Sequence, residues 1–80
     1  MKQANVSTEL LQTFVTVVES GGFIRAAQHL YKTQSTVSQQ IRKLETELDT
    51  NLFATSGRRR LLTPAGEQFL GYAKRWLALQ

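Results

Sequence analysis

Apolar side chains first recur with a helical period at Leu10, Leu11, Phe14, Val15 and Val18, preceded by Ser7 and Thr8, either of which can cap a helix. Glu9 then falls in the first turn, where the helix dipole favours an acid, and Ser20, Gly21 and Gly22 stop the pattern. A shorter helical pattern covers Phe23 to Leu30. Its inner side is Ala26, Ala27 and Leu30, and the two alanines let another helix approach closely. Tyr31 and Lys32 connect it to a third segment, Gln34 to Leu48, for which Thr33 is a good cap. Val37, Ile41, Leu44 and Leu48 form one narrow stripe along that segment and predict a face turned to a core. Ser35, Gln39, Arg42 and Thr46 lie within about 60° of one another on the opposite side, flanked by Ser38 and Lys43. Asp49, Thr50 and Asn51 compete for backbone hydrogen bonds and end the helix.

Leu52 to Thr55 and Arg60 to Thr63, separated by Ser56, Gly57, Arg58 and Arg59, predict a small β-hairpin with a basic tip. Thr63 followed by Pro64 is a cap with proline at the first helical position, opening a last helix that runs towards the end. In it Ala65, Phe69, Tyr72, Ala73, Trp76, Leu77 and Leu79 spread over an arc approaching 180°, wider than the ~100° a helix needs to dock on one core. Part of that arc is expected to be bare in a monomer and to serve as a dimer seam. Residues 1 to 6 carry no periodicity and read as a loose terminus, and no internal repeat or linker divides the chain.

Composition narrows the function. A chain of 80 residues holds one small domain, and ten Lys and Arg against six Asp and Glu leave a net charge of +4, which favours an acidic polymer as partner. Cysteine is absent and His29 is the single histidine, so neither thiolate nor histidine-rich metal sites can form and no cofactor is expected. No apolar run approaches the ~20 residues of a membrane span, and the chain reads as cytoplasmic. Ser35 and Ser38 have no base and orienting acid at motif spacing, and Glu45 and Glu47 point in different directions and read as solvated charges, so catalysis is not expected. His29 reads as a surface or partly packed side chain.

Two helices joined by a short turn, the second with a polar outer edge, followed by a basic hairpin, make a mainly α fold: a winged helix-turn-helix with a three-helix core, a β-hairpin wing and a long last helix. Such a helix fits the major groove of B-DNA, about 12 Å wide, where the carboxamides of Gln34 and Gln39 can donate and accept together on an adenine edge. The hydroxyls of Ser35, Thr36 and Ser38 are adaptable contacts to bases or phosphates. Arg42 and Lys43, further along, suit the phosphate backbone, with Thr33 grouped beside them, and Arg58, Arg59 and Arg60 could neutralise phosphates or enter a narrow minor groove. Charge placement agrees: Ser20 to Leu44 holds Arg25, Lys32, Arg42 and Lys43 and no acid, whereas Glu45, Glu47 and Asp49 cluster in the last turns of the third helix. A polar helix edge is more often simply solvated, and an arginine run can be only a solubilising turn. The two together favour double-stranded DNA. A protein-interaction module, with the basic face on an acidic partner, is the alternative.

Phe14 with Val15 and Val18, Gly21 to Phe23, Ala26-Ala27, Leu30, Gln34 to Ile41, Leu44-Glu45, Leu52-Phe53 and Leu62-Thr63 with Ala65-Gly66 together resemble the amino-terminal domain of LysR-type transcriptional regulators. The resemblance implies a DNA-binding domain over residues 1–63 and a linker helix over 64–80 through which two copies dimerise, with Phe69, Tyr72, Ala73, Trp76, Leu77 and Leu79 at the seam. It also implies homodimers on inverted-repeat promoter sites, tetramers in the full-length protein, and a small-molecule co-inducer bound by a carboxy-terminal domain that this chain lacks. By the same resemblance Gln34, Ser35, Thr36, Ser38 and Gln39 occupy base-contacting positions and Arg58 to Arg60 match the wing. Some positions depart from the family pattern. Gly22 and Ile24 stand where Ser and Thr are frequent, which weakens the cap of the second helix. Gln39 and Thr55 stand where arginine is common, and Asp49 replaces a frequent glycine.

Overall fold

The computed structural model describes residues 6–56 and 59–79. Helix α1 (Thr8–Ser20) is followed by α2 (Phe23–Leu30), α3 (Gln34–Leu48), strands β1 (Phe53–Ser56) and β2 (Arg59–Leu62), and α4 (Pro64–Ala78). Three of the four helices begin on a hydroxyl cap. Ser7 Oγ accepts from the Leu10 N–H, Thr33 Oγ1 from Thr36 and Thr63 Oγ1 from Gly66, each satisfying one amide that has no intrahelical partner. Helix α2 starts at Gly22 with no side-chain cap, as the missing serine foretells.

The first three helices each end on a residue in the left-handed region. Gly21 (φ 92°) takes this geometry without a Cβ penalty after α1, but Tyr31 (φ 55°) ends α2 and Asp49 (φ 53°) ends α3. The Lys32 N–H reaches back to the Ala27 carbonyl and that of Thr50 to Glu45, closing the helix ends on backbone groups. Tyr31 is 96% exposed, so its ring gains nothing from the core in return for the strained backbone.

Helix α1 packs against α2, α3 and α4 and is the centre of the domain. That is why it buries a wider arc than its pattern indicates. Val17 is buried while the expected Val18 is half-buried, and Thr13 is fully enclosed. Ala26 and Ala27 of α2 and all four stripe residues of α3 are buried as expected, and Leu30 is half-buried. Phe14, with no exposed surface, lies 5.6 Å between ring centroids from Phe53 and 5.5 Å from Phe69, while Phe53 also meets Phe23 and Phe69 meets Tyr72. A string of aromatic rings therefore joins α2, the base of the hairpin, α1 and α4. Edge-to-face and tilted pairs of this kind contribute about 0.5–1.5 kcal/mol each beyond their burial.

The strands pair antiparallel, Phe53 with Leu62 and Ser56 with Arg59 at the two ends. Each strand lies one residue nearer the tip than the sequence pattern indicates. Leu52 is fully buried with its N–H taken by a side chain of α3, and Thr63 has turned its hydroxyl to the cap of α4. Gly66 explains the tight turn from β2 into α4: a Cβ there would strike the Leu52 carbonyl and the Leu62 side chain. Among the described residues no helix is long and apolar enough to cross a membrane, and no group of three or more His, Cys, Asp or Glu could hold a metal ion.

Candidate nucleic-acid interface

Helix α3 carries its two chemistries on opposite edges because its apolar stripe is wholly buried, which fixes its rotation. Gln34, Ser35, Gln39, Arg42, Lys43 and Thr46 are consequently exposed on the outer edge, with Ser38 half-exposed. Among the described side-chain hydrogen bonds none occupies Gln34, Ser35, Ser38 or Gln39, so their donors and acceptors face solvent uncommitted. Thr33 and Thr36 differ. The Thr33 hydroxyl accepts from the Thr36 N–H at 3.0 Å and donates to Thr36 Oγ1 at 2.9 Å, so Thr33 is spent on the cap. Thr46 turns its hydroxyl back onto the Arg42 carbonyl at 2.9 Å.

The hairpin stands beside this edge. The Arg60 guanidinium lies 4.5 Å from the centroid of the Phe23 ring, a cation–π contact that draws the arginine over the start of α2. A cleft of about 190 Å³ separates α3 from the hairpin, with Ser38 and Arg42 on the helix side and Thr55 and Arg60 on the hairpin side. A wider hollow of about 680 Å³ lies between the end of α1, the start of α2 and the hairpin, lined in part by Arg25, Gln34 and Arg60. The structure thus brings Ser38, Arg42 and Arg60 to one cleft and Gln34 to its neighbour. Arg59 belongs to β2, not to the turn between the strands, and Arg58 lies outside the described residues.

Two readings of charge are corrected. Glu45 is not a solvated carboxylate: its Oε2 accepts from the backbone N–H groups of Leu52 at 2.7 Å and Phe53 at 3.2 Å, tying α3 to the base of the hairpin. Glu47 is half-buried, with Oε2 enclosed and without a hydrogen-bond partner among the described residues. The acid-free stretch from Ser20 to Leu44 is also not acid-free in space. Glu9 of α1 reaches Lys32 at 2.7 Å, and the Lys32 ammonium, with the Gln40 amide, holds its carboxyl below the usual carboxylate range. Sequence spacing carries no sign of either contact, since both join residues far apart in the chain or across the end of a helix.

On α4, Phe69 and Ala73 are buried against the chain's own core, whereas Tyr72 (49%), Trp76 (42%) and Leu79 (81%) are exposed and Leu77 is half-buried. His29 is exposed at the end of α2, in keeping with a surface side chain.

The uncharacterized HTH-type transcriptional regulator YxjO of Bacillus subtilis (strain 168) is 59% identical over 64 residues, 80% of this chain and 22% of that protein. The HTH-type transcriptional activator AllS of Klebsiella pneumoniae is 47% identical over 74 residues, 92% of this chain and 27% of its own length. The chain therefore spans about a quarter of the length of these relatives. The crystal structure of a CbnR_DBD–DNA complex superimposes with a TM-score of 0.85 at 36% identity, covering 91% of this chain and 84% of that one. These likenesses are to transcriptional regulators and not to enzymes. The profile of the bacterial regulatory helix-turn-helix proteins of the lysR family matches residues 8–67, three quarters of the sequence, and the chain belongs to that family as a DNA-binding, transcription-regulating helix-turn-helix domain.

Proposed function

We propose that α3 enters the major groove of double-stranded DNA and reads sequence there, with Gln34, Ser35, Thr36, Ser38 and Gln39 on base edges or fixing register. Arg42, Lys43, Arg60 and the neighbouring Arg58 and Arg59 hold phosphates along the backbone or in an adjacent minor groove, while Thr33, grouped with them by its position, keeps its hydroxyl on the cap of α3. The observation that carries this reading is the exposed row of uncommitted Gln34, Ser35 and Gln39 on a helix whose opposite edge is entirely buried. A carboxamide that donates and accepts at once matches the N6 and N7 edge of adenine. The similar CbnR_DBD domain was crystallised as a complex with DNA, which supports the partner.

The exposed Tyr72, Trp76 and Leu79 support a second part of the proposal: residues 1–63 are the DNA-binding unit and 64–80 a linker helix through which two copies pair on an inverted repeat. In the intact cytoplasmic protein a further carboxy-terminal domain binds a small co-inducer, and tetramers form from such pairs. The greater length of the relatives supports that extension.

Selection of bound duplexes from a random pool supplies the preferred site, and fluorescence anisotropy on that site and on scrambled DNA tests the assignment. Gln39→Ala is expected to lose about 1–3 kcal/mol of discrimination at one base position, whereas Arg59→Ala weakens all sequences alike and flattens the salt dependence. Equal losses on selected and scrambled DNA for Gln39→Ala would remove Gln39 from the base-reading set. Binding to DNA that is weak and indifferent to sequence in the parent chain would favour a protein-interaction role.

A further inference from the structure

Lys32 stands in the turn between α2 and α3, directly before the Thr33 cap of the helix proposed to enter the groove. A lysine there is placed to reach a phosphate, yet its ammonium is turned to its own chain. Nζ donates to Glu9 Oε2 at 2.7 Å and to Gln40 Oε1 at 3.3 Å, and Gln40 Nε2 donates to the same Glu9 oxygen at 3.3 Å. The three side chains close a triangle. The fully buried hydroxyl of Thr13 donates to Gln40 Oε1 at 2.7 Å and so fixes the amide at its centre. An isolated surface ion pair holds its lysine weakly, because ordering two long side chains offsets the attraction. Here the lysine has a second acceptor, its side chain is only 23% exposed, and that acceptor is pinned to the interior of α1.

We propose that Glu9 and Gln40 are positioning residues that withhold Lys32 from the DNA backbone, setting the generic affinity of the DNA-facing surface one cation below what its lysines and arginines would otherwise give. The inference rests on the DNA-binding reading above. Sequence-independent binding to duplex DNA comes from counterion release, which scales with the number of phosphates neutralised. A cation kept in an internal triangle releases none. Loss of the Glu9 charge leaves Lys32 with neutral acceptors only and frees it to act as a further phosphate contact.

The test is a four-protein cycle of the 80-residue chain: parent, Glu9→Gln, Lys32→Gln and the double variant. Each is titrated against a labelled mixed-sequence duplex of about 25 base pairs from 50 to 200 mM salt, with circular dichroism confirming that each is folded. Lys32→Gln alone is expected to leave the slope of log Kobs against log salt unchanged. Glu9→Gln should steepen it by about 0.9, an extra loss of about 3.5-fold in affinity over that salt range, and the double variant should return to the parent slope. Glu9→Ala gives the same steepening without a side chain that could replace the acceptor. The proposal is overturned if Lys32→Gln by itself flattens the slope, since Lys32 would then already contact phosphate, or if the gain from Glu9→Gln survives in the double variant, since Glu9 would then act by plain repulsion. A parent chain with no salt-dependent DNA binding at all would instead remove the DNA-binding reading, a distinct outcome.

Discussion

Glu45→Ala decides between a solvated charge and a structural tie. In the parent, the N–H groups of Leu52 and Phe53 both donate to one oxygen of Glu45, at 2.7 and 3.2 Å, and Leu52 is fully buried. Hydrogen bonds to a charged group contribute about 1.5–3 kcal/mol, and amides left without a partner cost their desolvation as well. One of these bonds is short, the other is long, and they share an acceptor, so the expected loss is about 2 kcal/mol. A solvated surface carboxylate would change stability by less than about 0.5 kcal/mol. For 80 residues the total stability is on the order of 4–12 kcal/mol, so the loss is a large fraction of it and lowers Tm by roughly 10 °C. Urea unfolding followed by circular dichroism measures the difference, and hydrogen exchange locates it, with the Leu52 and Phe53 amides expected to lose protection first. Glu45→Gln, which keeps a neutral acceptor, should fall between. A Glu45→Ala variant within 0.5 kcal/mol of the parent would show that the tie holds nothing together.

Two further outcomes test other parts of the structure. Tyr31→Gly should raise stability by about 0.5–1 kcal/mol in urea unfolding, because it relieves a left-handed backbone at a ring that is 96% exposed; a loss would show that no strain is stored there. Trp76→Asp places a charge on the bare side of α4, where the indole is 42% exposed, and is expected to leave the circular dichroism spectrum intact while abolishing concentration-dependent sedimentation; a parent chain that stays monomeric at high concentration, with and without DNA, would refute the seam.

What could be read from the sequence was local. Ser7, Thr33 and Thr63 all make the cap bonds their positions indicate, because a cap joins residues three apart and leaves its mark in adjacent letters. Val37, Ile41, Leu44 and Leu48 are buried because a single core contacts α3, so one stripe suffices. The same periodicity was a poorer guide for α1, which is surrounded on three sides and encloses Val17 and the polar Thr13 as well. Contacts between distant residues had no spacing to announce them. Glu9 meets Lys32 and Gln40 across the fold, Thr13 meets Gln40, and Glu45 folds back on Leu52, yet each of these acids and amides reads in sequence as an ordinary surface residue. At the interface, the exposed outer edge of α3 was legible from the stripe opposite. The inward commitment of Lys32 was not, because it depends on which side chain arrives from elsewhere in the chain.

The rings running from Phe23 through Phe53 and Phe14 to Phe69 have a mechanical consequence. With the hairpin and α4 both packed on the ring of Phe14, neither can tilt without opening a void that close packing does not tolerate. In the proposed pairing each copy would then move as a stiff lever, and any adjustment of the distance between half-sites would fall to the contact between the two α4 helices, leaving the interior of each lever unchanged.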